Sequence, residues 1–179
     1  RADCPETDLE CRGARAAVQL QNLREISEIR GAEVVGHLKT PLGFHGRATL
    51  AYTWGEQPRL DGDAREPRSR IPPLNGTVDL SWRHRPTAVF LGGALRWARA
   101  QTRLSTADDF DVRVPPGGTP GYTVFDLRAG VRVRRDLLFA LTAENVGDTA
   151  YRVHGSAVNG AGRGLILSLE LEPLALLED

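Results

Sequence analysis

A period of two is the feature that most constrains this chain. In "TVFDLRAGVRVRR", Thr123, Phe125, Leu127, Ala129, Val131 and Val133 take alternate positions, and Asp126, Arg128, Arg132 and Arg134 stand between them. Successive side chains of a strand point to opposite faces, so this is a strand with one apolar and one charged face. "LLFALTAEN" repeats it, setting Leu137, Phe139, Leu141 and Ala143 against Ala140, Thr142 and Glu144. "LILSLELE" sets four leucines from Leu165 to Leu171 against Ser168, Glu170 and Glu172. "RATLAYTW", "TVDLSWR" and "VFLGGALRWARAQTR" alternate likewise, and "EISEIRGAEVVGHLK" does so in its second half, around Glu33 and His37. Helix signals are nearly absent.

Seven strands are predicted, at 18–39, 46–56, 75–84, 87–103, 121–134, 136–146 and 163–172. The links between them alternate short and long: "TPLGFH", "GEQPRLDGDAREPRSRIPPLN", "HRP", "LSTADDFDVRVPPGGTPG", "RRD" and "VGDTAYRVHGSAVNGAG". One end of the sheet therefore carries tight turns and the other long loops. Outer-membrane barrels sort their connections in this way, whereas a soluble sandwich has no reason to. The strands also exceed the roughly 5–6 residues typical of soluble sheets and suit the 9–11 of a tilted membrane strand. Trp54, Trp82 and Trp97 lie near strand ends on the apolar face, where an interfacial aromatic girdle belongs.

A mean hydropathy of -0.30 does not oppose this reading, because alternation hides the apolar face of a barrel in an average composition. No apolar run approaches the roughly 20 residues of a spanning helix. Charge is balanced, 23 basic against 23 acidic residues, so no net field favours nucleic acid. The chain has no Met and opens "RADCPETD", which reads as a piece of a longer protein. Cys4 and Cys11 are close enough in sequence for one bridge in an oxidising compartment, with two free thiols as the alternative.

Alternation alone does not say which face is wet in the sense that matters. A soluble, lipocalin-like barrel turns its apolar face inward around an apolar ligand, and a membrane barrel turns it out to lipid. Seven strands weigh towards the membrane: bacterial single-chain barrels have even strand counts, and lipid does not tolerate an open edge. The segment is then part of a larger barrel, and its charged face lines an aqueous lumen.

The residues that end the chain carry a family resemblance. "ENVGDTAYRVHGSAVNGAGRGLILSLEL" resembles the closing segment of TonB-dependent outer-membrane receptors, which end with an Asn-Leu-x-Asp-like step, a Tyr-containing loop, a Gly-Arg and a last strand. Asn145, Asp148, Tyr151, Gly162 and Arg163 occupy the matching places. "QNLREISEIRGAEV" is similar to the family's Asn…Ile-x-Gly-x-Glu strand at Asn22, Ile29, Gly31 and Glu33. "RIPPLNGTVDLSW" and "GGTPGYTVFDLRAGVRV" resemble further family segments, so the likeness covers most of 18–172 in the right order. A departure is the ending "EPLALLED", where family members finish on an aromatic.

The resemblance implies an all-β antiparallel up-and-down meander forming the last seven or eight strands of a 22-stranded transmembrane barrel. It divides the chain into an external loop with the Cys pair (1–17), barrel (18–172) and a tail (173–179). It further implies the outer membrane of a Gram-negative bacterium, import of a scarce nutrient such as siderophore-iron or cobalamin, and no catalytic activity. The implied partners are membrane lipid, TonB and the plug domain of the full receptor, and a small-molecule or metal-chelate ligand. No nucleic acid and no cofactor are implied.

Candidate sites are few. The charged face offers Glu33, Asp79, Asp126, Arg128, Arg132, Glu144 and Glu170 as lumenal residues able to meet a ligand. Arg128 and Arg132 suit an anion, but a charge ladder with Asp126, Glu144 and Glu170 is the simpler reading. "ADDFD", with Asp108, Asp109 and Asp111, has the donors for a cation, and a solvated acidic loop is simpler again. His37, His45, His84 and His154 are too scattered for a metal site. "NGAGRG" precedes a strand and not a helix, so its glycines serve re-entry into the barrel wall and not a phosphate.

Overall fold

The computed structural model describes residues 26–59 and 64–172. Seven long strands form one antiparallel sheet: β1 (Glu28–Lys39), β2 (Phe44–Pro58), β4 (Asn75–His84), β5 (Val89–Ala98), β6 (Tyr122–Arg134), β7 (Leu137–Glu144) and β8 (Gly164–Leu171). They pair in strict sequence order, β1-β2-β4-β5-β6-β7-β8, an up-and-down meander without a crossover. A three-residue strand, β3 (Arg65–Pro67), pairs with the outer end of β2 and was not expected from sequence. Its residues, Arg-Glu-Pro, have no alternation to read. Among the described residues the only helical element is one turn of 3-10 helix, Asp108–Phe110, and no helix is long and apolar enough to cross a membrane.

Predicted strand ends fall within a few residues of the observed ones, with one larger difference. The fourth predicted strand runs to 103, but β5 stops at Ala98. Beyond it the backbone is drawn off into loops: Arg99 N–H donates to Leu74 O at 2.9 Å, and Gln101 pairs with Thr119. Residues 18–25 of the first predicted strand, the Cys4–Cys11 loop and the 173–179 tail lie outside the described residues.

The register confirms the two faces. One row reads Ala48, Val78, Leu95 and Phe125 across four strands, and another Leu91, Ala129, Leu141 and Leu167. The opposite face aligns Arg47 with Asp79, and Thr49 with Thr77, whose hydroxyls hydrogen-bond at 2.7 Å. The parity fails at one place. A bulge between Arg132 and Arg134 sets Arg134 opposite Leu137, in the row of Leu171, so Arg134 stands on the leucine face and not on the charged one. There its guanidinium reaches the turn and binds the Asp136 carboxylate at 3.1 Å. An arginine at the rim of an apolar band snorkels in this manner.

The apolar face is open to its surroundings. Leu165, Leu167 and Leu169 are 72%, 78% and 64% exposed, and only Val114 and Val124 are buried among the hydrophobic residues described. Phe44 and Trp82 sit at the short-turn end of this face with ring centroids 6.4 Å apart. Tyr52, Trp54 and Trp97 mark the other end. From Phe44 to Trp54 β2 advances ten residues, about 33 Å at 3.3 Å each, or about 25 Å along the normal at a tilt near 40°. That is the height of the apolar band of a membrane barrel.

The tight turns are held by specific contacts. At Thr40–Gly43 the Thr40 Oγ1 accepts from Phe44 N at 3.1 Å, and Trp82 Nε1–H donates to Leu42 O at 3.2 Å. Gly43 is required there: its φ is +89°, and a Cβ would fall 2.3 Å from Arg83 O.

Candidate functional site: the charged face and its outer loops

The charged face carries two arginine–carboxylate pairs that span strands. Arg128 of β6 donates from both terminal nitrogens to Asp79 of β4, at 2.7 and 2.6 Å, and so crosses β5 entirely. It is able to cross because β5 has Gly92 in between; a Cβ there would lie 2.7 Å from Arg128 Nε. Arg96 of β5 donates to both oxygens of Asp126 at 3.2 and 3.3 Å, and to the Tyr151 hydroxyl at 3.4 Å. Bidentate pairs of this kind fix geometry as well as charge. The expected ladder therefore exists with other rungs. Arg128 takes Asp79 and not Asp126, and Arg132 donates to Arg135 O at 2.9 Å and lies 3.9 Å from Glu172, not Glu170. Arg96, which holds Asp126, is absent from the sequence-derived candidates, although its parity within "GGALRWARA" places it on this face.

Glu33, on exposed β1, faces Ala51; Glu144 lies opposite Gly164 and Glu170 opposite Leu138. No hydrogen-bonded cluster joins these three.

The family-pattern residues of the last loop come together. Asn145 has a φ of +46° and is buried, and its side chain closes the loop on itself. Its Nδ2 donates to Thr149 O and Ala161 O at 2.9 Å, and its Oδ1 accepts from Thr149 N at 2.9 Å. Its own N–H donates to Asp126 Oδ1 at 2.9 Å, tying the loop to the charged face. Asp148 Oδ1 accepts from Arg163 N at 2.9 Å, beside Gly162. Tyr151 packs at a tilt against Tyr122, 5.0 Å between centroids, and lies against Gly160, where a Cβ would come within 2.1 Å of its ring. Gly31 has the same kind of duty on β1, its missing Cβ leaving room for Tyr52 O. Asn22 lies outside the described residues.

The other two long loops interlock around Asp108. This acid is not the solvated loop residue expected from "ADDFD"; it is 2% exposed. Ser69 Oγ donates to it at 2.6 Å, Ser105 N at 2.8 Å and Ser105 Oγ at 3.0 Å. Burial pushes the Asp108 carboxyl upward, but these hydrogen bonds outweigh it and hold the group below its ordinary value. Glu66 repeats the balance: burial raises it, and bonds from Thr106 N and Oγ1 and from Gln57 bring it below normal. Hydrogen bonds and charge from Arg113 hold Asp111 well below the usual carboxylate range, with Arg70 adding to them. Gln101 Nε2 donates to Ile71 O at 2.7 Å, and Thr119 Oγ1 meets His154 Nδ1 at 2.9 Å, which links the third loop to the second. Burial pushes His154 below its ordinary value. Among the described residues no group of three His, Cys, Asp or Glu side chains could hold a metal ion.

An ordered meander with an apolar belt, aromatic rims, a charged inner face and long loops at one end defines a segment of a transmembrane β-barrel. The model of the family "TonB dependent receptor-like, beta-barrel" matches residues 3–146, and the chain belongs to that family. Its members are outer-membrane proteins of Gram-negative bacteria and not enzymes. Lipid therefore lies on the leucine face and the lumen on the charged one. None of the curated proteins matches the chain. Among solved structures it is similar to "Copper transporter OprC", with a TM-score of 0.66 at 22% identity over 81% of this chain. The chain spans 23% of the length of that structure.

Proposed function

We propose that this chain is the C-terminal barrel segment of a receptor that imports a scarce solute across the outer membrane. In this reading the long loops face the exterior and help capture the solute, the strands form a rigid wall, and the rest of the receptor closes the barrel. The observation that carries it is the sorting of connections: three tight turns at one end, and at the other three long loops tied to one another by Asp108, Glu66 and the Thr119–His154 contact and to the charged face by Asn145. TonB would supply energy, as the family's name suggests, and a plug domain elsewhere in the receptor would supply gating. The solute is a small molecule or metal chelate, of which siderophore-iron and cobalamin are examples. The structural neighbour's name attaches copper to that neighbour; the described residues of this chain hold no cluster that brings it across.

The test is uptake by the complete receptor in its host. Growth on a panel of limiting chelated metals and cofactors should fall for at least one solute on deletion of the receptor, and fall equally on loss of TonB. Uptake that survives loss of TonB would sink the proposal.

A further inference from the structure

At the short-turn end of the lumenal face, β1 and β2 set basic groups directly against one another. His37 is opposite Arg47, and Lys39 is opposite His45, so each pair sets a permanent cation beside an imidazole and neither supplies a counter-charge. Side chains so paired have Cβ atoms about 4.5–5.5 Å apart. Relief by a neighbouring acid is expected at Asp79, which stands opposite Arg47 on β4. Relief does not come, because Arg128 occupies both Asp79 oxygens from the other side, at 2.6 and 2.7 Å. Among the described residues the Lys39 and Arg47 side chains have no carboxylate partner within 4.0 Å, and Glu33 is six residues before Lys39 along β1. A shallow concavity gathers the set: His37, Lys39, His45, Arg47, Asp79 and Ser81 line it. Arg83, exposed on the same face of β4, flanks it.

We infer that His37, Lys39, His45 and Arg47 form an oxyanion-binding patch at the inner end of the lumen. Arg47 provides a planar fork of donors suited to a carboxylate or phosphate, Lys39 a compact positive charge, and Ser81 and the imidazoles further hydrogen-bonding groups. The Arg128–Asp79 pair leaves this charge uncompensated, and Gly92 is what lets that pair form. The inference rests on the charged face being lumenal and is independent of which solute is carried or whether TonB drives it. The oxyanion has two possible sources with the same chemistry: a carboxylate elsewhere in the receptor, such as on a plug domain, or a free solute.

The complete receptor in detergent separates them. Carbodiimide treatment followed by mass spectrometry of peptides should join the Lys39 amine to an acidic residue if the source is internal, with the yield falling in Arg47→Gln. Calorimetric titration with inorganic phosphate should show binding if the source is a free anion, weakened about tenfold in Arg47→Gln, as for loss of one charge-assisted hydrogen bond. Arg152→Gln, in the last outer loop, should alter neither. Each variant is accepted only with wild-type β-sheet circular dichroism and thermal midpoint, and Lys39→Gln serves for titration if Arg47→Gln does not fold. No Lys39 crosslink together with no phosphate binding overturns the inference. Crosslinking or binding that is indifferent to Arg47→Gln overturns it equally.

Discussion

The two ends of this sheet are built on different principles. At the short-turn end the three connections are two to four residues long, and Asp136 is the buried polar residue found there. At the long-loop end lie Gln101, Ser105, Asp108, Thr119 and Asn145, all buried, with Val114 and Val124. In a soluble protein burial concentrates between layers of secondary structure. Here lipid covers one face of the sheet and the lumen lies on the other, so the strands bury little against each other. The sheet is stabilised by its backbone ladder and its fit to the bilayer, and the loops by a network of satisfied polar groups.

That contrast is sharpest when the faces are challenged. Leu127→Arg, in the middle of the apolar face, is expected to cost about 2–4 kcal/mol in a bilayer. Ser168→Arg, on the charged face of β8 two strands away, should change stability by about 0.5 kcal/mol or less. Denaturant unfolding of the complete receptor in lipid measures both; a larger cost for Ser168→Arg would mean that the faces are reversed, and equal costs that the sheet is not in lipid. Asn145→Ala comes next, at about 2–3 kcal/mol, because it strands the Thr149 and Ala161 backbone groups and puts a non-Asn residue at positive φ. Hydrogen exchange should show the loss confined to 145–163, with β7 and β8 protected; loss spread evenly over the sheet would contradict the division.

A smaller effect is expected with acid. Asp108 has a folded value below its unfolded one, so its contribution is complete above the unfolded value near 3.9 and is lost as pH falls through the folded value. Glu66 acts in the same direction. Protease nicking of loops 68–74 and 99–121 should therefore rise below about pH 4 while sheet circular dichroism holds. Asp108→Asn should bring the nicking to neutral pH. Smallest is Gly92→Ala, which displaces Arg128 from Asp79. Both partners are over a third exposed, so the loss is under about 1 kcal/mol. A double-mutant cycle with Asp79→Asn should show the two effects overlapping rather than adding.

Strand count, faces and loop sorting were legible because each follows from a local rule: side chains alternate by two, and turns interrupt that alternation. The aromatic rims were legible for the same reason, since Trp82 and Trp97 lie near strand ends on the apolar face, whereas the closing-segment pattern around Tyr151 was legible only as a resemblance to a known family. The pairings on the charged face were not. Parity placed Arg128 and Asp79 on one side, but that they meet depends on two intervening registers and on Gly92 leaving the path between them clear. Asp108 likewise looked like a solvated acid, because Ser69, which helps bury it, is 39 residues away in another loop. Even the failure of parity at Arg134 came from a bulge, which one strand shows only against its partner. The sequence by itself thus determined the meander, its two faces and its long-loop end, all properties of one strand and its connections. The tertiary structure decided which charges are neutralised, which loops are locked and which basic residues are left over, because those depend on the distances between strands and loops that the chain brings together only on folding.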